Sequence, residues 1–298
     1  MQLKLFVEKM SKTKKKVVVT IPVYREFLSA DEEKSFRRSC AVFGQKYDVV
    51  AFAPENMDLS VYTSIFPELQ VERFPAHFFR SIGDYSRLLL SEEFYERFSS
   101  FEWLLICQLD VWVFKDELEY WCGRDIDFWG APIIADWDPS VNESQTPDIV
   151  GNGGFSLRRI SAILKVLRAD DAPMYTREML WNFIRNHSKQ MAYHKFLFPL
   201  LRMLGIWNRR KQCLEILRSQ GACEDMVFRV MTDPSNPPFL TIPTIEEAAH
   251  FALDGVNVWR YFDKTQHLPF ALHAWRRSEG AEFMELVREK YAPEMTEV

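Results

Sequence analysis

The chain has 298 residues, of which 47% are hydrophobic, 14% aromatic and 27% charged. This composition excludes a disordered chain, a collagen-like fibre and a small disulfide-rich scaffold, and the length suffices for one large α/β domain or two smaller ones. The net charge of −5 argues against general binding to nucleic acid, which usually requires a basic domain.

The cysteines and the N-terminus indicate a compartment. The five cysteines include no C-x-x-C pair, so neither a zinc site nor a disulfide framework is indicated, and reduced thiols are expected. A short apolar patch at residues 3–7 precedes a run of lysines at 12–16, whereas a secretory signal has its charges first. No stretch reaches the ~18 apolar residues of a membrane span. The sequence predicts a cytoplasmic protein.

Strand and helix patterns alternate along the first half of the chain. The predicted elements are a buried strand at 17–23, a helix at about 30–46, strands at 48–53 and 71–74, an amphipathic helix or helix pair at 80–98, and strands at 101–107 and 126–130. This alternation predicts an α/β domain with a mainly parallel sheet flanked by helices.

The second half reads as mostly helical after a glycine-rich interruption at 151–154. Residues 155–159 lead into a helix to about 168, and further helices are predicted at about 175–220, from 224, and at 245–253. We expect a basic tail at 1–16, a single domain at 17–278 with a helical insertion at about 172–220, and a C-terminal helix or tail at 279–298.

An acidic residue, Asp110, follows directly after the apolar strand at 101–107. In open α/β sheets, ligands bind beyond the carboxyl ends of the strands. A carboxylate at that position can hold a divalent cation, and the cation can bind a diphosphate. An aspartate that caps the next turn would give the same pattern, so the spacing leaves both interpretations open.

Three other features also have a structural and a functional interpretation. The glycines at 151–154 allow close approach of a ligand to the backbone, or form a plain turn. Glu224 and Asp225 begin a predicted helix, where they either cap its N-terminus or supply a base that takes a proton from a hydroxyl. His273 lies between apolar residues and is either a core residue or a ligand.

The order of these motifs is more specific than any one of them. The motifs lie at 17–25, 84–90, 108–110, 130–132, 151–158, 224–225 and 273–275. Their succession resembles a bacterial family of uncharacterised glycosyltransferases with a GT-A-like fold, associated with surface-polysaccharide synthesis. The resemblance covers about residues 17–276 and is weakest between 170 and 222.

The resemblance implies a nucleotide-sugar donor and a glycan or lipid-linked acceptor. The donor-binding residues that it implies are Thr20, Pro22, Tyr24, Arg25, Asp84, Arg87, Gln108 and Asp110. The residues that it places beside the acceptor and the donor sugar are Gly130, Asn152, Gly153 and Gly154. It also implies that Asp225, or else Glu224, is the catalytic base, and that Asp110 and His273 hold Mn²⁺ or Mg²⁺.

One departure from the resemblance concerns the metal motif. The usual motif is Asp-x-Asp, but here Trp112 stands where the second carboxylate would be. A cation held by Asp110, His273, diphosphate oxygens and water is the favoured expectation, because Mg²⁺ and Mn²⁺ accept oxygen-rich octahedral sites and Mn²⁺ tolerates an imidazole. A metal-independent enzyme, with Arg87 and other cations bearing the phosphate charge, is the alternative.

Two rival functions remain beside the transferase. A nucleotidyltransferase is disfavoured, because the loop at 22–26 has no glycine with which to cradle phosphates. A degenerate module that binds sugar nucleotide or glycan without turnover is supported by the missing carboxylate at Trp112.

The segment 181–214 is basic and aromatic. It contains seven Lys and Arg residues and no Asp or Glu, interleaved with aromatic and aliphatic side chains. Such a segment either lies on an anionic membrane surface, which would give a peripheral contact with the inner face of the membrane, or packs as helices with a solvated basic face.

Overall fold

The β-branched run near the N-terminus forms a central strand, β1 (Lys15–Pro22). The strand β1 pairs in parallel with β2 (Asp48–Pro54) on one side and with β4 (Phe101–Cys107) on the other. Helices cover both faces of a parallel sheet, which is why the apolar residues of a central strand run continuously instead of alternating. The structure is a computed structural model that describes residues 15–134, 148–169, 200, 203–204, 223–230, 240–291, 295 and 297.

The main sheet has six strands, of which the other three are β3 (Gln70–Phe74), β6 (Phe128–Gly130) and β9 (Phe155–Arg159). Their order in the sheet is β3-β2-β1-β4-β9-β6. The pairs among β3, β2, β1 and β4 are parallel, whereas β9 is antiparallel to both β4 and β6. The predicted α/β fold with a mainly parallel sheet flanked by helices is confirmed.

Helices cover the sheet and carry recognisable caps. In chain order they are α1 (Ala30–Phe43), α2 (Ser60–Ile65), α3 (Ile82–Leu89), α4 (Glu92–Arg97), α5 (Leu118–Cys122), α6 (Ile160–Arg168), α7 (Glu224–Val230), α8 (Ile245–Phe251), α9 (Val258–Thr265) and α10 (Ser278–Lys290), with a 3₁₀ turn at Ala76–Phe79. Of the two alternatives predicted for 80–98, one helix or a helix pair, the structure has the pair. Ser81 and Ser91 each accept a hydrogen bond from a backbone N–H at the start of a separate helix.

A second, three-stranded sheet was not predicted. It consists of β5 (Val111–Val113), β10 (Ala252–Asp254) and β11 (Ala271–His273) in the order β10-β11-β5. The predicted helix at 245–253 therefore ends at Phe251, and the next three residues form β10. This sheet places Asp254 directly opposite His273, and His273 opposite Val111. A two-stranded ribbon of β7 (Pro132–Ile134) and β8 (Asp148–Val150) completes the described strands.

Some predictions fall outside the described residues. These include the tail before Lys15, nearly all of the helical insertion at 172–220, and the basic segment at 181–214 apart from residues 200 and 203–204. Among the residues that the structure does describe, no helix has the length and apolar character needed to cross a bilayer.

Candidate active site

A cavity of about 790 Å³ lies beyond the carboxyl ends of β1 and β4. This volume is typical of sites for small molecules, and the position is where open α/β sheets bind ligands. The cavity brings together most of the residues that the sequence singled out, namely Pro22, Tyr24, Arg25, Gln108, Asp110, Asn152, Gly153, Gly154, Glu224, Asp225 and His273.

Three residues expected to bind the donor are not part of the described lining. Thr20 is buried within β1, and its hydroxyl donates a hydrogen bond of 2.8 Å to the carbonyl of Leu105. Asp84 and Arg87 lie on α3, where they form an ion pair of 3.5 Å with each other. The part of α3 that does line the cavity includes Tyr85. Thr20 therefore links β1 to β4. The side chains of α3 that line the cavity are not Asp84 and Arg87, which were the ones expected there.

The turn after β4 holds Asp110 at the cavity. The backbone N–H of Gln108 donates to the carbonyl of Gly154 at 2.9 Å, and the N–H of Val111 donates back to the carbonyl of Gln108 at 3.1 Å. The carboxylate oxygen Oδ1 of Asp110 then lies 3.4 Å from Nε2 of His273. The two candidate metal ligands, which are far apart in sequence, are therefore neighbours.

His273 lies between two carboxylates. Its Nε2 faces Asp110, and its Nδ1 is 2.9 Å from Oδ2 of Asp254. Burial alone would lower the pKa of His273, but hydrogen bonds and attraction from both carboxylates outweigh burial and raise that pKa to about 9. Burial alone would raise the pKa of Asp110. The hydrogen bond and charge of His273, together with the charge of Arg277, nevertheless hold that pKa below its ordinary value.

Asp254 is a buried residue that the sequence analysis missed. It ends β10 and is only 7% exposed. Its Oδ2 accepts a hydrogen bond of 2.5 Å from the side-chain amide of Asn152, in addition to its contact with His273. The only sequence signal is an aspartate followed by Gly255, which is also typical of ordinary turns.

Gly154 lies directly under His273. A Cβ at position 154 would be 2.3 Å from Nε2 of His273, so only glycine fits without displacing the ring. The N–H of Gly154 donates to Oδ1 of Asn152 at 2.9 Å. Gly130, which ends β6, supports the same loop from behind, because a Cβ there would lie 2.7 Å from the carbonyl oxygen of Asn152.

Gly153 lies under the two acidic residues that begin α7. A Cβ at position 153 would be 2.7 Å from Oε1 of Glu224 and 3.3 Å from Oδ2 of Asp225. The backbone N–H of Gly153 donates to Oδ2 of Asp225 at 3.1 Å. The acidic pair and His273 therefore each pack against one of two consecutive glycines, whose Cα atoms are about 3.8 Å apart.

The two acidic residues differ in environment. Glu224 is 4% exposed, and its two carboxylate oxygens accept from Arg158 at 2.8 Å and from Ser86 at 3.1 Å. Arg158 is itself fully buried and also donates to the hydroxyl of Tyr95. Asp225 is only half-buried. Glu224 is therefore committed to a buried ion pair, and Asp225 is the better placed of the two to meet a substrate.

Four arginines line the cavity, of which only Arg25 was expected; the others are Arg80, Arg276 and Arg277. Arg25 pairs with Glu32, and Arg276 lies 3.2 Å from Asp31. Within the described part of the chain, Arg277 forms no ion pair, and its charge acts on Asp110. Arg277 is therefore the arginine that is best placed to meet an anionic ligand beside Asp110.

Asp110 and His273 fit a divalent cation that the ligand helps to hold. Adjacent ligands of an octahedral Mg²⁺ ion are about 3 Å apart, since each lies about 2.1 Å from the ion. The 3.4 Å between Asp110 Oδ1 and His273 Nε2 is close to that separation. The described residues contain no group of three or more His, Cys, Asp or Glu side chains suited to a metal ion. Phosphate oxygens and water would complete the coordination.

The residue in place of the second carboxylate belongs to the core. Trp112 is 1% exposed and packs on Trp275 with ring centroids 5.0 Å apart. Its Nε1–H donates to the carbonyl of Met295 at 2.7 Å. Position 112 thus supports the small sheet rather than the cavity.

The fold is that of an α/β protein with a cavity at the carboxyl edge of its parallel strands. Over residues 68–273 the sequence matches the family described as "Protein of unknown function (DUF5672)". That range is more than half of the chain, and the chain belongs to this family. The matched range includes Asp110, Gly154, Asp225 and His273. No curated protein matches the sequence.

Several solved structures that are similar to this chain are glycosyltransferases. A glycosyltransferase involved in the glycosylation of the major capsid of PBCV-1 is 13% identical, with 91% of this chain and 100% of that chain covered and a TM-score of 0.39. The galactosyltransferase LgtC, in complex with donor and acceptor sugar analogs, is 12% identical, with 90% and 94% covered and a TM-score of 0.43. Core-mannan synthase A from Aspergillus fumigatus, in its Mn/GDP form, is 11% identical, with 72% of each chain covered and a TM-score of 0.38. Similarity at this level assigns no residue role to this chain.

Proposed function

We propose that this chain is a glycosyltransferase that moves a sugar from a nucleotide-sugar donor to a hydroxyl of a glycan or lipid-linked acceptor, in bacterial surface-polysaccharide synthesis. The observation that carries the proposal is one juxtaposition. Asp110 with His273, and Asp225, line one cavity at the carboxyl edge of the sheet, next to Gly153 and Gly154. Metal ligands for a diphosphate and a base for a hydroxyl are functions that suit glycosyl transfer.

The donor would lie across the cavity from β1 to β11. Pro22, Tyr24 and Arg25 line the end of the cavity next to β1, and Tyr24, which is 47% exposed, would stack on a base. The diphosphate would lie beside Asp110, where Arg277 supplies a cation. The anomeric carbon would then lie beside Asp225 and the two glycines, which also line the cavity.

Asp110 and His273 would hold Mn²⁺ or Mg²⁺, which when bound supplies charge stabilisation to the leaving nucleoside diphosphate. Arg277 adds positive charge where the leaving group becomes more anionic. Asp225 takes the proton from the acceptor hydroxyl as its oxygen bonds to the anomeric carbon and the bond from that carbon to the diphosphate breaks. Attack from the side opposite the leaving group inverts the configuration at that carbon.

A module that binds a sugar nucleotide or glycan without turnover is the second candidate. The observation that favours it is the core position of Trp112, together with the lack of a three-residue metal group among the described residues. Nucleotide binding alone does not separate the transferase from a module that binds a sugar nucleotide. Turnover does, because a binding module leaves the donor intact.

A thermal-shift screen of nucleoside diphosphates and nucleotide sugars, each with and without Mn²⁺, tests the binding part of the proposal. A ligand at 100 times its Kd stabilises the folded state by about 2.7 kcal/mol, which corresponds to roughly 5 °C or more in Tm for a chain of this size. We expect stabilisation by one nucleotide family, strengthened by Mn²⁺ and lost in Asp110→Ala.

Asp263→Ala is the matched control, because Asp263 is an exposed aspartate on α9 outside the cavity lining. We expect this variant to keep the shift. If no nucleotide shifts the Tm of well-folded wild-type protein, the proposed donor site is wrong.

A further inference from the structure

Asp254 has no role in the reaction as proposed, yet it contacts two residues that line the cavity. We infer that Asp254 is a positioning residue, which fixes the ring of His273 and the side-chain amide of Asn152. It thereby holds the proposed cation site and the glycine loop in a fixed position relative to each other. This inference rests on the proposed function, because it deepens the role given to His273.

The small sheet sets the backbone positions of the pair. Asp254 and His273 are directly opposite each other in the parallel pairing of β10 with β11. The N–H of Gly255 donates to the carbonyl of His273 at 2.9 Å. A Cβ on Gly255 would lie 2.3 Å from the carbonyl oxygen of Ala274, so the turn after Asp254 packs tightly against the chain that follows His273. His273 is thus held through its backbone as well as its ring.

The hydrogen bonds of Asp254 determine which nitrogen of His273 faces the cavity. A carboxylate accepts hydrogen bonds, so Nδ1 of His273, 2.9 Å from Asp254, carries a proton. Nε2 is left to face Asp110 at 3.4 Å, where a cation would displace any proton it carries. A carboxylate behind a metal-binding imidazole orients the ring and makes the coordinating nitrogen more basic.

The same carboxylate oxygen fixes the amide of Asn152. Because Oδ1 of Asn152 accepts from the N–H of Gly154, the Nδ2 group must point the other way, and it donates to Asp254 at 2.5 Å. The second oxygen of Asp254 accepts from the N–H of Val256 at 2.9 Å. Asp254 therefore joins the His273 ring to the loop that runs under it.

A purely structural role for Asp254 makes a different prediction. If it only stabilised its turn, the isosteric change Asp254→Asn would be tolerated, because the amide oxygen still accepts from Val256. If Asp254 is a positioning residue, the substitution would not be tolerated, because the new NH₂ group would face two donors, on His273 and Asn152. Removing such a carboxylate typically weakens metal binding by about 10–100-fold.

The test measures the affinity for Mn²⁺ alone, by electron paramagnetic resonance of the free ion, in wild type and three variants. We expect Asp254→Asn to bind Mn²⁺ about 10–100-fold more weakly with a native circular dichroism spectrum. Asp110→Ala should lose binding, and the exposed control Asp263→Asn should bind as wild type. Wild-type affinity in Asp254→Asn, with binding lost in Asp110→Ala, overturns the inference and leaves the metal site standing. Equal binding by wild type and Asp110→Ala overturns both.

A second measurement does not depend on a variant at Asp254 that folds. Wild-type protein labelled with ¹⁵N-histidine is examined by NMR with Mg²⁺, and the His273 signals are identified by their loss in His273→Gln. The inference predicts that Nδ1 carries a proton both with and without Mg²⁺, whatever the state of Nε2. A ring protonated only at Nε2 overturns it.

Discussion

The change Gly154→Ala tests whether the close approach of the glycine loop to His273 is required. The new Cβ would be 2.3 Å from Nε2 of His273, whereas ordinary contacts begin near 3.4 Å, so the ring must retreat by about 1 Å. It has little room to do so, because Asp254 holds its other nitrogen at 2.9 Å. Overpacking of this kind destabilises a fold by about 1–3 kcal/mol, and a displacement of about 1 Å at a reacting centre can reduce turnover about 100-fold.

Calorimetry and donor turnover would be measured together for this variant. Gly123→Ala is the control, because a Cβ there would be no nearer than 3.3 Å to any atom and Gly123 has a φ of −82°. We expect the control to keep wild-type turnover and to change stability by less than about 1 kcal/mol. Wild-type Tm and turnover in Gly154→Ala would refute the packing of His273 on this glycine.

Three further predictions concern the charged residues of the cavity. Glu224→Gln leaves the buried guanidinium of Arg158 unpaired and should lower the free energy of unfolding by about 3–5 kcal/mol, measured by urea denaturation; an unchanged midpoint would contradict the buried pair. Asp225→Asn should reduce turnover at least 100-fold while changing that midpoint little, and retained turnover would remove Asp225 as the base. Arg277→Ala should weaken nucleotide binding about tenfold by calorimetric titration, whereas the exposed control Arg37→Ala should not; equal affinities would place the phosphates elsewhere.

The central sheet was predictable because its strands carry strong local signals. The apolar run of β4 has the predicted bounds, 101–107, and β1 differs mainly by beginning at Lys15. Buried parallel strands are continuously apolar and are flanked by helices with clear caps, so pattern and topology agree. Asp110 was placed at this edge of the sheet for the same reason, since it follows the apolar strand β4, and it lines the cavity.

The small sheet was not predictable by the same reasoning. The strands β5, β10 and β11 have three residues each, which is too short for a periodic pattern, and two of them directly follow a turn or helix. Asp254 was missed with them, because its role depends on pairing with β11. Arg277 lines the cavity, whereas Arg87 is not part of the described lining. The local sequence does not show this difference, because it depends on tertiary packing.

The most direct test of the proposed glycosyl transfer measures release of nucleoside diphosphate from a panel of nucleotide sugars in the presence of Mn²⁺, with and without glycan acceptors. We expect release from one donor class, lost in Asp110→Ala and Asp225→Asn and retained in Asp263→Asn. Binding of a nucleotide without release from any donor would contradict it and favour the module that binds without turnover.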